Sequence, residues 1–229
     1  MIDLNDATLD MAAAIVDDLE RVRVANSNRV RIMVSTDPDE DGIVRGWGMP
    51  LDHPNVELLR SMVTALGELE KKAISQLEKS MKAHPMGKWV GTQLGIGYKQ
   101  SARLISAIGD PYINANTGLP RTVSQLWSYC GFNVVDGSAV RRQKGVKSNW
   151  NANAKMRTFL IALSCIKQLK SPYRKIYDER RLRTKETHPD WTLGHQHNDA
   201  LRVMGKELLK QMWIEARRLH EGEVNDVET

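Results

Sequence analysis

Between residues 55 and 83, apolar side chains return every three or four positions, at Leu59, Met62, Leu66, Leu69 and Ala73. That period belongs to an α-helix with one buried stripe, so the segment reads as a single long helix. At ~1.5 Å per residue its length is about 43 Å, enough to project from a small domain. After Ala73 the stripe shifts to Ile74, Leu77 and Met81, which excludes a strict coiled coil over the whole length. Such a rod either packs on its own core or pairs with a second copy, and a homodimer formed through it is the expectation.

The same periodicity makes the rest of the chain mainly α. Leu9, Ala12, Ala13, Val16 and Leu19 predict an amphipathic helix over residues 6–24, followed by turn-like sequence to Pro54 with a short strand at Arg29 to Val34. Lys88 to Gln93, Lys99 to Ile108 and Val123 to Tyr129 read as short helices. Asn151 to Lys170 reads as a longer one, with Met156, Phe159, Leu160, Leu163, Ile166 and Leu169 as its buried face. Ser171 and Pro172 form an N-cap and first-turn proline that start another helix, and a last amphipathic helix runs from about Gly194 to His220. Two β-prone runs flank Asp136-Gly137, a hairpin signal. The expected fold is therefore a helix-hairpin-helix core with one β-hairpin, a long projecting helix and an N-terminal helical arm. Its divisions are 1–54 for the arm and loop, 55–83 for the long helix, 84–222 for the main domain and 223–229 for a frayed acidic tail.

Charge is distributed unevenly. Residues 1–90 hold 11 basic and 15 acidic side chains, residues 141–185 hold 14 and 2, and residues 186–229 hold 5 and 9. A block that repels itself this strongly gains most from a polyanion laid against it, which points to nucleic acid. No run of about 18 apolar residues exists to span a bilayer, and the acidic opening Met1 to Asp6 does not read as a secretory signal. Cys130 and Cys165 are too few for a disulfide framework, so a reducing cytoplasm is expected, with association to the nucleoid if the polyanion is DNA.

Leu94-Gly95-Ile96-Gly97 lies between two short helical segments. Glycines there permit backbone conformations and close approach that other residues resist, and the helix that follows points open N–H groups and its positive dipole end outward. Gly95, Ile96, Gly97 and Lys99 are thus the expected first phosphate track, with Arg141, Arg142, Lys144, Lys147, Lys155 and Arg157 as the second. Tyr98, Trp150, Tyr173 and Tyr177 are interleaved with these cations; they either pack under helices or stack on exposed bases. Asp37, Asp39, Glu40 and Asp41 lack the spacing of a calcium loop, and His188, His195 and His197 lack a structural zinc spacing, so no metal site is expected.

Taken together, Leu94 to Gly97, Ala102, the Ile108-Gly109-Asp110 ending, Leu126 to Tyr129 with Gly131, the hairpin serine, the Arg/Lys-Gly145 element and the long helix resemble the C-terminal domain of bridge-RNA insertion-sequence transposases. The rod resembles the helical segment preceding that domain, so the likeness spans roughly residues 55–215. The resemblance implies a helix-hairpin-helix fold, DNA as partner and a mobile-element or phage setting. It also implies that Ser138 is the position of a nucleophile attacking a phosphodiester, with Arg141 and Arg142 placed to spread transition-state charge. In that family a further N-terminal domain of RNase-H type holds catalytic metal, and no counterpart is visible in the 54 residues before the rod. The expectation is accordingly a DNA-binding protein, a non-catalytic relative of a transposase, that uses no cofactor. The alternatives are a serine recombinase or nuclease in which a partner supplies a magnesium site, and an RNA-binding or protein-interaction module, structured RNA being the second candidate ligand.

Overall fold

The computed structural model describes residues 2–135 and 137–227, with side chains through Gly222. Among them are eight helices: α1 (Ala7–Val34), α2 (Pro54–Ala83), α3 (Gly87–Thr92), α4 (Tyr98–Ile108), α5 (Val123–Tyr129), α6 (Ala152–Ile166), α7 (Pro172–Thr187) and α8 (Leu193–Val227). Strands β1 (Val134–Val135) and β2 (Ser138–Ala139) pair antiparallel, Val134 opposite Ala139 and Val135 opposite Ser138. The protein is mainly helical with one small hairpin, as its periodicity predicts. Asp136, at the expected turn, lies outside the described residues, as do Glu228 and Thr229. Where a frayed tail is expected from residue 223, the backbone of α8 continues to Val227. None of the described helices is long and apolar enough to cross a membrane.

The chain divides into two compact units, one of Met11–Leu77 and one made by residues up to Asp10 together with those from Glu78 onward. This differs from the divisions at 54 and 83: most of α1 belongs with α2, and the ends of both helices belong with the larger unit.

In the Met11–Leu77 unit, Arg23 of α1 donates to the Glu70 carboxylate of α2, and Glu70 is buried. That contact raises the Arg23 pKa above its ordinary value, because the guanidinium is held by the carboxylate. The expected strand at Arg29 to Val34 is the last part of α1. The helix persists because the connection folds back on it: the N–H groups of Trp47 and Met49 donate to the carbonyls of Ile32 and Met33, both at 2.9 Å. Helix-terminal carbonyls need such partners. The expected α2 stripe mixes two rows. Val56 and Leu77 are fully buried with Leu59 and Leu66 half-buried between them, whereas Met62 and Leu69 stand on the outer face with Leu58.

The larger unit is built around α8, which packs against α5, α6 and α7, while α4 packs against α6. Here the expected α6 face is rotated. Ala154, Arg157, Thr158, Ile161, Ala162 and Cys165 point inward, while Met156 and Phe159 are each 41% exposed and Leu169 is 81% exposed. Close approach explains the choice. A Cβ on Gly205 of α8 would lie 3.2 Å from Thr158 Cγ2, and one on Gly95 would lie 2.9 Å from Cys165 Cα. Small side chains on α6 let its neighbours come this near, and Phe or Met at those positions would hold them apart.

Candidate nucleic-acid interface

Helices α3 and α4 and the turn between them form the expected helix-hairpin-helix. Gly95 has φ +93°, a left-handed conformation that glycine adopts without strain, and its missing side chain makes room for the end of α6. Ile96 is buried and anchors the turn. Gly97 is the N-cap of α4 in an extended conformation and offers no side-chain cap, so the first-turn N–H groups of α4 have no cap from that residue. A Cβ at Gly97 would meet nothing within 4 Å, and the first turn carries no acid. The positive end of the α4 dipole therefore opens at an exposed residue, with no acid in the first turn of the helix.

Lys99 sits half-exposed on that first turn, as expected. Lys82, at the end of α2, places its ammonium 5.1 Å from the Tyr98 ring centroid, which adds a cation that helical periodicity does not reveal. On the other side of the turn, Tyr173 in the first turn of α7 donates its hydroxyl to Gln93 Oε1 at 3.2 Å. Tyr173 and Tyr177 are both buried, so of the aromatic residues interleaved with cations these two pack under their helix.

The second set of cations divides in two. Arg141, Arg142, Lys144 and Lys147 are all exposed in the segment that leaves β2, and among the described residues none makes a hydrogen bond or ion pair. Lys155 and Arg157 do not decorate the outer side of α6. Lys155 is half-buried, donates to the Val140 carbonyl at 3.0 Å and lies 4.5 Å from the Trp150 ring centroid. Burial draws its pKa below the ordinary lysine value. Arg157 is 6% exposed, on the inward face. The physical reason is the rotation of α6 described above, which turns Arg157 inward with the small residues and leaves Lys155 at the edge of that face, where it reaches the β2 exit.

The two expected tracks meet opposite ends of α6. Gly95 lies against Cys165, near the last turn, whereas the β2 exit is tied to Lys155, near the first. Ten helical residues separate these contacts, about 15 Å along the axis.

Ser138 lies in β2 and is exposed; among the described residues its hydroxyl has no hydrogen-bond partner. The other titratable clusters have structural partners. Arg45 pairs with Asp39 and Asp41, His188 stacks on Trp191 with centroids 4.3 Å apart, and Tyr177 Oη lies 2.6 Å from His197 Nδ1. Arg121 donates to the carbonyls of Asp110 and Ile113, both at 2.7 Å, and so fixes the loop after α4.

No protein-family model, curated protein or solved structure matches the chain.

Proposed function

We propose that this protein binds DNA through its backbone phosphates, using the open start of α4 and the cationic segment after β2. The observation that carries this reading is the Gly97 cap: an exposed helix start with no side-chain cap and no acid in its first turn, where Lys99 sits and where Lys82 lies over Tyr98. Backbone N–H groups at a helix start bind a phosphate oxygen without reading sequence. Arg141, Arg142, Lys144 and Lys147 supply the long-range attraction, because no acid in the described structure neutralises them.

The test is a fluorescence-anisotropy titration of a labelled duplex at several salt concentrations. Four neutralised phosphates correspond to a log–log slope of about −3.6, and reversing Arg141 and Arg142 to glutamate flattens the slope and weakens binding at least about tenfold. Absence of binding at low salt, or binding indifferent to salt, defeats the reading. Structured RNA in the same titration is the competing ligand.

A second reading rests on the exposed Ser138 hydroxyl, three and four residues before Arg141 and Arg142 in sequence: a serine recombinase or nuclease in which a partner supplies the metal site. A covalent protein–DNA adduct lost in Ser138→Ala supports it, and no adduct with any partner removes it.

A further inference from the structure

We propose that the loop from Arg141 to Asn149 is a finger that enters the major groove of a DNA duplex, so that this protein prefers a DNA duplex to an RNA duplex of the same sequence. The inference rests on the nucleic-acid reading and goes beyond it, because phosphate contacts alone select neither a groove nor a type of duplex. The loop is clasped at its root. The Lys155 ammonium donates to the Val140 carbonyl at 3.0 Å and lies 4.5 Å from the Trp150 ring centroid, so one side chain holds the residues at both ends of the loop. Trp150 is itself seated on Gly131, where a Cβ would come within 2.7 Å of its ring. Asn151 fixes the exit: its N–H donates to the Tyr129 carbonyl at 2.7 Å, and its side chain accepts from the Ala154 N–H and donates to the Ala107 carbonyl.

Beyond that root the loop is open. Its backbone closes one turn, from the Val146 N–H to the Gln143 carbonyl at 3.3 Å, with Gly145 at φ +80°. Arg141, Arg142, Gln143, Lys144 and Lys147 are all exposed, and no Asp or Glu occurs from Gly137 to Tyr177. Size selects the groove. Val140 is three residues from the turn, which at ~3.3 Å per residue gives a reach of at most about 10 Å. The DNA major groove is about 8.5 Å deep and about 12 Å wide and admits two chains side by side, whereas the minor groove, about 6 Å wide, does not. The major groove of an RNA duplex is too narrow for side chains to read. In the DNA groove Arg141 and Arg142 reach the phosphates of its walls, while Gln143 and Lys144 at the turn carry the amide and ammonium groups that pair with adenine and guanine edges on its floor.

The full chain is titrated by fluorescence anisotropy against three labelled duplexes of one sequence. These are unmodified DNA, RNA, and DNA in which glucosylated 5-hydroxymethylcytosine replaces cytosine and fills the major groove at unchanged backbone charge. The expected affinity for unmodified DNA is about tenfold above that for each of the other two. Lys155→Met keeps the aliphatic stem, removes the clasp and draws the three affinities together while circular dichroism shows the helix content retained; a purely structural role for Lys155 would leave their ratio unmoved. Equal affinity for unmodified and glucosylated DNA, RNA bound as tightly as DNA, or a wild-type ratio in Lys155→Met overturns the finger and leaves the phosphate reading standing. No binding to any of the three duplexes at low salt overturns both.

Discussion

His220 Nε2 lies 2.6 Å from Asp110 Oδ2, joining the far part of α8 to the loop that follows α4. Both side chains are almost fully buried. The other oxygen of Asp110 accepts the N–H groups of Tyr112 and Ile113, and the Asp110 N–H donates to Asn5 Oδ1 at 3.1 Å. One residue thus holds together the start of the chain, the α4 exit and α8.

Removing the imidazole by His220→Ala leaves a buried carboxylate oxygen without its partner. The expected loss is about 2–3 kcal/mol, read as a lower urea midpoint at unchanged slope. An unchanged midpoint would show that solvent reaches Asp110 in the folded state.

The two glycines of the α3–α4 turn are expected to separate stability from binding. Gly95→Ala adds strain at a positive φ and drives a Cβ against the Cys165 backbone, so it costs about 2–4 kcal/mol. Gly97→Ala meets open space and costs about 1 kcal/mol or less, yet it places a methyl group where a phosphate would approach, weakening duplex binding about fivefold. Thermal melts and anisotropy titrations of the two variants check this, and equal binding by Gly97→Ala and wild type counts against the proposed contact.

Asp199 gives the larger unit a defined acid sensitivity. Burial pushes its carboxyl pKa up, but the guanidiniums of Arg180 and Arg202 overcome that, so the net value lies below the ordinary carboxylate range. A depressed folded-state pKa stabilises the fold above the unfolded value of about 3.9 and loses that contribution as pH falls through the folded value. Asp199→Asn should therefore lower stability at neutral pH and leave a shallower acid limb. Urea unfolding at pH 7 and at stepwise lower pH measures both, and parallel acid limbs would contradict the assignment.

Cys130 and Cys165 are expected to be inert in the folded protein. Burial pushes their thiols up to about 12 and about 11, so almost no thiolate exists at neutral pH. A chromogenic disulfide reagent should react with both only after denaturant is added. Rapid reaction of either in the native state would mean that the α5–α6 region opens.

Much of the element order is legible in the residues. Val123–Tyr129 is found at its expected bounds, and its Thr122 cap with Gln125 forms a reciprocal capping box. Helix faces are less legible when size rather than hydrophobicity decides them. On α6 the signal was the row Ala154, Thr158, Ala162 and Cys165, small residues that allow close helix packing, and hydrophobicity alone selects the opposite face. On α2 two apolar rows overlap in sequence, and only burial separates the one facing α1's Arg23 side from the one facing solvent. At the interface, the turn glycines and Lys99 follow from pattern, as do the four exposed cations after β2. The retraction of Lys155 and Arg157 and the arrival of Lys82 beside Tyr98 depend on tertiary contacts that no local spacing encodes.

Because Asn5 and His220 both close on Asp110, the larger unit draws on segments made at widely separated times during translation. The Asp110 cluster, which Asn5 joins early, stays incomplete until His220 of α8 has left the ribosome. Pulse-labelled nascent chains should acquire protease resistance in this unit late and in one step.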